Sequence, residues 1–223
     1  VAAALDEALG AAATDFTCAY AVAVGELVVA CAADLASTVS TISDTPGNTY
    51  SDACSAAGSA SVPGPVIAAA ILTAALTTSS TISASRTEAG VAGASFTGCL
   101  NAPYATAALA DSTSTTTPTL TTSASVNAGD LVVGFAAAVG SFASRTWSTP
   151  SGWTALSTYG GSSSTMAIAM FYLIAPSTQT YTLNPTASSS EKQGLGIAAF
   201  PAISSLPAPA PTNYAAVFRG MYR

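Results

Sequence analysis

Hydrophobic residues in this chain come in short runs that occur twice in the same order. Leu27-Val28-Val29-Ala30-Cys31 follows Gly25-Glu26, and Leu131-Val132-Val133-Gly134-Phe135 follows Gly129-Asp130, 104 positions later. Thr45-Pro46 recurs as Thr149-Pro150, Gly90 as Gly194 and Phe96 as Phe200. Between these anchors the offset shortens, and Ile71-Leu72 aligns with Phe171-Tyr172, as an indel in a loop would produce. An internal repeat sets the architecture before any single element does. Here it divides the chain into copies at 20–100 and 124–204.

Within each copy the runs have the length and punctuation of strands. In the first copy these are Tyr20 to Ala33, a strand beginning at Thr49-Tyr50, Val66 to Leu76, Thr81 to Ser85 and Val91 to Cys99. Asp44-Thr45-Pro46-Gly47-Asn48 is a turn by composition. Val66 to Leu76 is continuously apolar, which fits a buried strand or a helix. Its counterpart, Met166 to Ile174, ends in aromatic and β-branched residues, and that decides for a strand. In the second copy Leu131 to Val139 and Gly194 to Phe200 are further strands, and Gln179 to Leu183 alternates with period two. Short strands, frequent turns and no helical period predict an all-β, jelly-roll-like antiparallel sandwich of two sequence-related halves. About eight to ten strands in one domain are expected, because each copy alone is small for a two-sheet core.

Three segments lie outside the copies. Residues 1–19 read as an N-terminal arm or short helix, since Ala2 to Leu9 are helix formers and Gly10 suits a helix end. Asp111 to Pro118, in the connector, is hydroxyl-rich and reads as extended surface chain. Residues 205–223 are a Pro-rich spacer and a C-terminal arm. The arm carries two of the five basic residues, and its candidate partner-binding residues are Val217, Phe218, Arg219, Tyr222 and Arg223.

Composition narrows the function. Half the residues are hydrophobic but only 7% are charged, against about 25% in an ordinary soluble domain. A hydroxyl-rich surface partly covered by neighbouring subunits is expected. Net charge is −6 and Lys192 is the one lysine, which argues against a nucleic-acid groove. No apolar run reaches the ~18 residues of a membrane helix, and the acidic start of the chain does not read as a signal peptide.

With no histidine in the chain, Ser-His-Asp and Cys-His catalysis are excluded. Glu26 and Asp130 are equivalent through the repeat and read as turn residues rather than a catalytic pair. Cys18, Cys31, Cys54 and Cys99 contain no Cys-x-x-Cys pair. They stand as small buried hydrophobes, which we favour, or as two disulfides. Asp44, Asn48 and Asp52 miss the rhythm of a calcium loop and read as a solvated turn. Trp147, Trp153 and Tyr159 are candidates for a sugar platform, with Trp147 and Tyr159 carried forward as ligand residues, against core packing for Trp153 and chance exposure for the other two. No cofactor or metal is expected, and no catalytic residue.

Ala128-Gly129-Asp130-Leu131-Val132-Val133, Pro150-Ser151-Gly152-Trp153-Thr154-Ala155-Leu156, Thr180-Tyr181-Thr182-Leu183 and Gly196-Ile197-Ala198-Ala199-Phe200 together resemble a duplicated jelly-roll module of bacteriophage virion proteins and secreted bacterial surface proteins. Gly25 to Val29 and Ser43 to Tyr50 resemble the module's other half. The resemblance spans about residues 20–204 and implies a non-enzymatic structural protein located in the virion, for capsid decoration or tail association. Its partners would be copies of itself and another virion or filament protein. The alternatives are a secreted carbohydrate-binding or adhesive module, with a glycan as ligand, and an extracellular pilus subunit that exchanges strands.

Overall fold

The computed structural model describes residues 2–12, 14–37, 40–85, 90–139, 146–159 and 166–203. Its strands are β1 (Ala4–Ala12), β2 (Asp15–Thr17), β3 (Leu27–Asp34), β4 (Ile42–Asp44), β5 (Ser51–Ser55), β6 (Gly64–Ile71), β7 (Thr81–Ala84) and β8 (Gly90–Thr97). The second half adds β9 (Tyr104–Thr115), β10 (Leu120–Thr121), β11 (Leu131–Val139), β12 (Thr154–Tyr159), β13 (Met166–Ile174), β14 (Thr182–Leu183) and β15 (Glu191–Phe200). The protein is an all-β sandwich with antiparallel pairing throughout.

Two five-stranded sheets form its centre, in the orders β1-β8-β3-β6-β5 and β12-β13-β11-β15-β9. Read from opposite edges, the two orders use corresponding strands of the two halves. The repeated runs Leu27–Asp34 and Leu131–Val139 are the middle strand of each sheet. The sheets pack face to face, β1 against β12, β8 against β13, β6 against β15 and β5 against β9. Each half thus offers the same face to the other, as two subunits do across a two-fold interface.

The two-sided burial explains the continuous apolar runs. Every residue of β3 and eight of the nine in β11 are buried. Alternate residues point to opposite faces of a strand. Leu27, Val29, Cys31, Leu131, Val133 and Phe135 enter the core between the five-stranded sheets. Val28, Ala30 and Ala32 face a second core beneath the sheet β2-β7-β4, which contains Phe16 and Ile82. Val132 and Ala136 face a third, beneath β10-β14, with Trp153, Tyr181 and Leu183. The sandwich is therefore four layers deep and has more strands than expected, because the short connecting segments form outer sheets of their own.

Glycines let the halves approach. A Cβ on Gly90 would lie 2.5 Å from Ile168 Cγ2, and one on Gly194 2.6 Å from the Pro63 carbonyl oxygen. Such distances leave no room for a side chain, so these glycines set the spacing between layers.

The N-terminal segment departs from expectation. Ala4–Ala12 is not an arm or helix but the edge strand of the first sheet, paired with β8 from Ala4↔Thr97 to Ala12↔Val91. Helix propensity separates Ala and Leu from strand formers by only tenths of a kcal/mol per residue. A ladder that runs the length of the strand, with register shifts between Leu5 and Glu7 and between Ala8 and Gly10, and the burial of Leu9 outweigh that preference. The connector also joins a sheet, with Tyr104–Thr115 as the edge strand beside β15.

Candidate functional site

Among the buried polar residues are Asp44, Asn48 and Asp130, which lie where loops meet strand ends. Asp130 is fully buried, at the end of a turn closed by its amide on the Asn127 carbonyl (3.2 Å) and passing through Gly129 at φ 88°. Its Oδ1 accepts the Ala202 amide at 2.8 Å, and its Oδ2 accepts the Tyr104 hydroxyl and, at 3.4 Å, Asn127 Nδ2. One carboxylate therefore joins the start of β9, the turn before β11 and the chain after β15. Burial, followed by the hydrogen bond to this carboxylate, pushes the Tyr104 phenol up to about 12. The phenol stays a donor throughout the ordinary pH range.

The corresponding position in the first half is Glu26, whose amide closes the same turn on Ala23 (3.4 Å). Here the neighbour on the edge strand is Asp6 instead of a tyrosine. Asp6 Oδ2 accepts the Ser95 hydroxyl at 3.0 Å, whereas the buried Glu26 Oε2 receives no hydrogen bond among the described residues. Burial, and then the Asp6 carboxylate, raise the Glu26 pKa above the usual carboxylate value. Two acceptors side by side can be satisfied only when one carries a proton.

Asp44 and Asn48 form a third polar cluster. Asp44 accepts the Gly47 and Asn48 amides through Oδ1, both at 2.8 Å, and Asn48 Nδ2 and the Tyr50 hydroxyl through Oδ2. Asn48 in turn accepts the Thr73 and Ala74 amides at 2.8 and 2.9 Å. The expected solvated turn is thus a buried clasp between two loops, since these donors replace water. Asp52 stands apart on exposed β5. No group of three or more metal-binding side chains occurs among the described residues.

Trp147 and Tyr159 are not brought together. Trp147, bridged to Ala187, packs on the outer core of the second half, whereas Tyr159 packs on the core between the five-stranded sheets. They therefore lie on opposite sides of the second central sheet and form no common platform. Trp153 is a core residue at 8% exposure, its Nε1 donating to the Thr182 carbonyl at 3.2 Å. A groove of about 300 Å³ runs beside it, lined by Ser151, Gln179, Thr180 and Tyr181 among others. The Tyr181 hydroxyl in its lining donates to the Ser177 carbonyl at 2.5 Å. The tail candidates Val217, Phe218, Arg219, Tyr222 and Arg223 lie outside the described residues.

All four cysteines are free. Cys31 and Cys54 both stand beside Ile67, on opposite sides of β6. Two strand spacings separate them by ~10 Å, beyond the reach of a disulfide. Burial is the leading cause that pushes Cys18 up to about 11 and Cys54 and Cys99 up to about 12, with nearby Asp44, Asp52 and Asp130 adding to it respectively. These are packing residues, not nucleophiles.

Signals for the polar clusters were present in the sequence as repeated turns, but their partners came from distant elements. Asn127 was marked as part of the turn before Leu131, but Tyr104, Ser95 and Asp6 carried no mark of their own. No family model, curated protein or solved structure matches the chain.

Proposed function

We propose that this protein is a non-enzymatic structural component of an ordered assembly, a phage virion protein of the capsid-decorating or tail-associated kind. The observation that carries this reading is the use of the buried polar groups. Asp44, Asn48 and Asp130 are saturated by loop amides and hydroxyls. They fix loops to a four-layer core, which is what a rigid building block requires. The resemblance of the repeated segments to virion jelly-roll modules supplies the biological setting.

The strand position of residues 4–12 leaves the C-terminal segment as the arm. Asp130 and the Ile203 amide, which donates to the Gly98 carbonyl at 2.9 Å, hold the chain just before that segment begins. An arm that starts from a fixed point places its anchors reproducibly on a neighbour. Phe218 and Tyr222 would be the apolar anchors, and Arg219 and Arg223 the partners of acidic groups. A buried aromatic anchor is typically worth about 2 kcal/mol or more in an interface.

Electron microscopy and mass spectrometry of the native material test the proposal. The chain is expected as a multi-copy component of a particle. Deleting residues 212–223 should abolish incorporation and leave Tm nearly unchanged. A chain that stays monomeric at high concentration and is absent from every particle would overturn the reading, as would a collapse of the fold on deleting the tail.

A further inference from the structure

We infer that the free edge of β9 is an acceptor for the C-terminal segment of a second copy of this chain, which adds to the sheet as an extra strand. This rests on the reading of the tail as an assembly arm and identifies the surface it joins.

The four edges of the central sheets differ in how they discourage such pairing. Short length, charge and irregular pairing are the usual protections. β5 has five residues and β12 six, and each slips register against its neighbour. β1 carries Asp6 and Glu7 side by side. β9 is the longest, at 12 residues, and Asp111 is its single charge in a run otherwise made of Ala, Thr, Ser, Leu and Tyr. Among the described residues it pairs on one side only, with β15. Its register against β15 also slips at two points, yet Asp111 to Leu109 stay paired with Gln193 to Leu195 without interruption.

Charge selects the occupant. Asp111 puts an acidic group on this edge, toward its far end. The nearby Lys192 is turned to the Ser61 hydroxyl at 2.9 Å. Two of the chain's five basic residues, Arg219 and Arg223, lie in the tail, four positions apart and so on one side of an extended strand. Asp111 Oδ1 at present accepts the Thr113 amide at 2.7 Å. An incoming arginine would draw the carboxylate away and free that amide for a main-chain bond. Main-chain bonding gives such an addition its strength, and the alternate side chains give its selectivity. The stretch from Ile203 to Val217 spans roughly 40 Å or more when extended, enough to reach a neighbouring molecule.

The test uses two full-length variants, Ser114→Cys on β9 and Val217→Cys in the tail, mixed and mildly oxidised. Cys18, Cys31 and Cys99 are buried and Cys54 is half-buried, with burial raising the pKa of each thiol, so the new, exposed ones react selectively. A mixed disulfide dimer is expected, in several-fold excess over the product formed when Ser51→Cys on β5 replaces Ser114→Cys. Asp111→Lys should reduce the yield several-fold, and Arg219→Asp with Arg223→Asp in the partner should restore it. Equal crosslinking at β5, no crosslinking, or indifference to the charge swap would overturn the inference. So would a Ser114→Cys/Val217→Cys double variant that closes only within one chain. None of these outcomes depends on whether the chain occurs in a virion, which the particle analysis decides separately.

Discussion

The Tyr104 hydroxyl donates to the Asp130 carboxylate, and in the other half of the molecule Asp6 stands beside Glu26 where that donor would be. The two halves therefore close the same turn with opposite chemistry. In the second, a phenol satisfies a buried carboxylate. In the first, two carboxyls stand side by side, and burial with its neighbour's charge raises the Glu26 pKa.

Tyr104→Phe should lower Tm. The variant keeps the ring and removes one donor from a fully buried carboxylate. A hydrogen bond to a charged group contributes about 1.5–3 kcal/mol. In a protein of this size that corresponds to a fall of roughly 3–12 °C. Asp130→Ala should cost more, because the Ala202 amide also loses its acceptor. Thermal melts monitored by circular dichroism check both, and an unchanged Tyr104→Phe melt would mean that water replaces the phenol.

Glu26→Gln should change the pH dependence of stability. The folded state raises the Glu26 pKa, so folding favours the protonated form. This contribution is fully present below the unfolded value of about 4.3 and is lost as pH rises through the raised folded value. The Tm of the native sequence minus that of Glu26→Gln should therefore fall on going from about pH 4 to about pH 8. Parallel Tm profiles for the two proteins would contradict the carboxyl pairing.

Gly194→Ala should destabilise the contact between the halves. The added methyl would meet the Pro63 carbonyl oxygen at 2.6 Å and Pro65 Cδ at 3.0 Å. Neither atom belongs to a flexible side-chain end, so the backbone must shift. Overpacking of this kind costs about 1–3 kcal/mol. Urea titration should show a lower midpoint with the same slope if the fold is retained.

Alkylation should be slow in the native state at all four cysteines. With Cys18 raised to about 11 and Cys54 and Cys99 to about 12, the thiolate population near pH 8 falls roughly a hundredfold or more below that of a free thiol. Burial slows access further. Mass spectrometry after iodoacetamide should find unmodified native protein and four labels after unfolding. Rapid native labelling of Cys18 would show that the outer layer of the first half opens, and of Cys99 that the core between the central sheets does.

Strand identity was legible wherever both copies carried the same run. Residues 27–33 and Leu131–Val139 are apolar segments that each follow a glycine turn, and periodicity with turn chemistry is local information. The all-β class follows from those segments alone. Ala4–Ala12 shows where local information fails: its composition favours helix, while its ladder to β8 is formed with residues nearly ninety positions away, and those bonds exist only once the sheet is assembled.

The four layers were likewise decided by tertiary structure. A continuous apolar run says that both faces of a strand are buried, but not what covers them. β2-β7-β4 and β10-β14 supply the outer cover from segments too short to stand out in the sequence. The same holds for the polar sites. Asp130 and Glu26 were visible as equivalent turn residues. Their difference depends on Tyr104 and Asp6, placed beside them by edge strands whose register the sequence pattern does not encode. Sequence determined that the repeated apolar runs become strands, because propensity and turns act between near neighbours. Packing decided which side chains meet, because burial and hydrogen bonding act between residues that only the folded chain brings within reach.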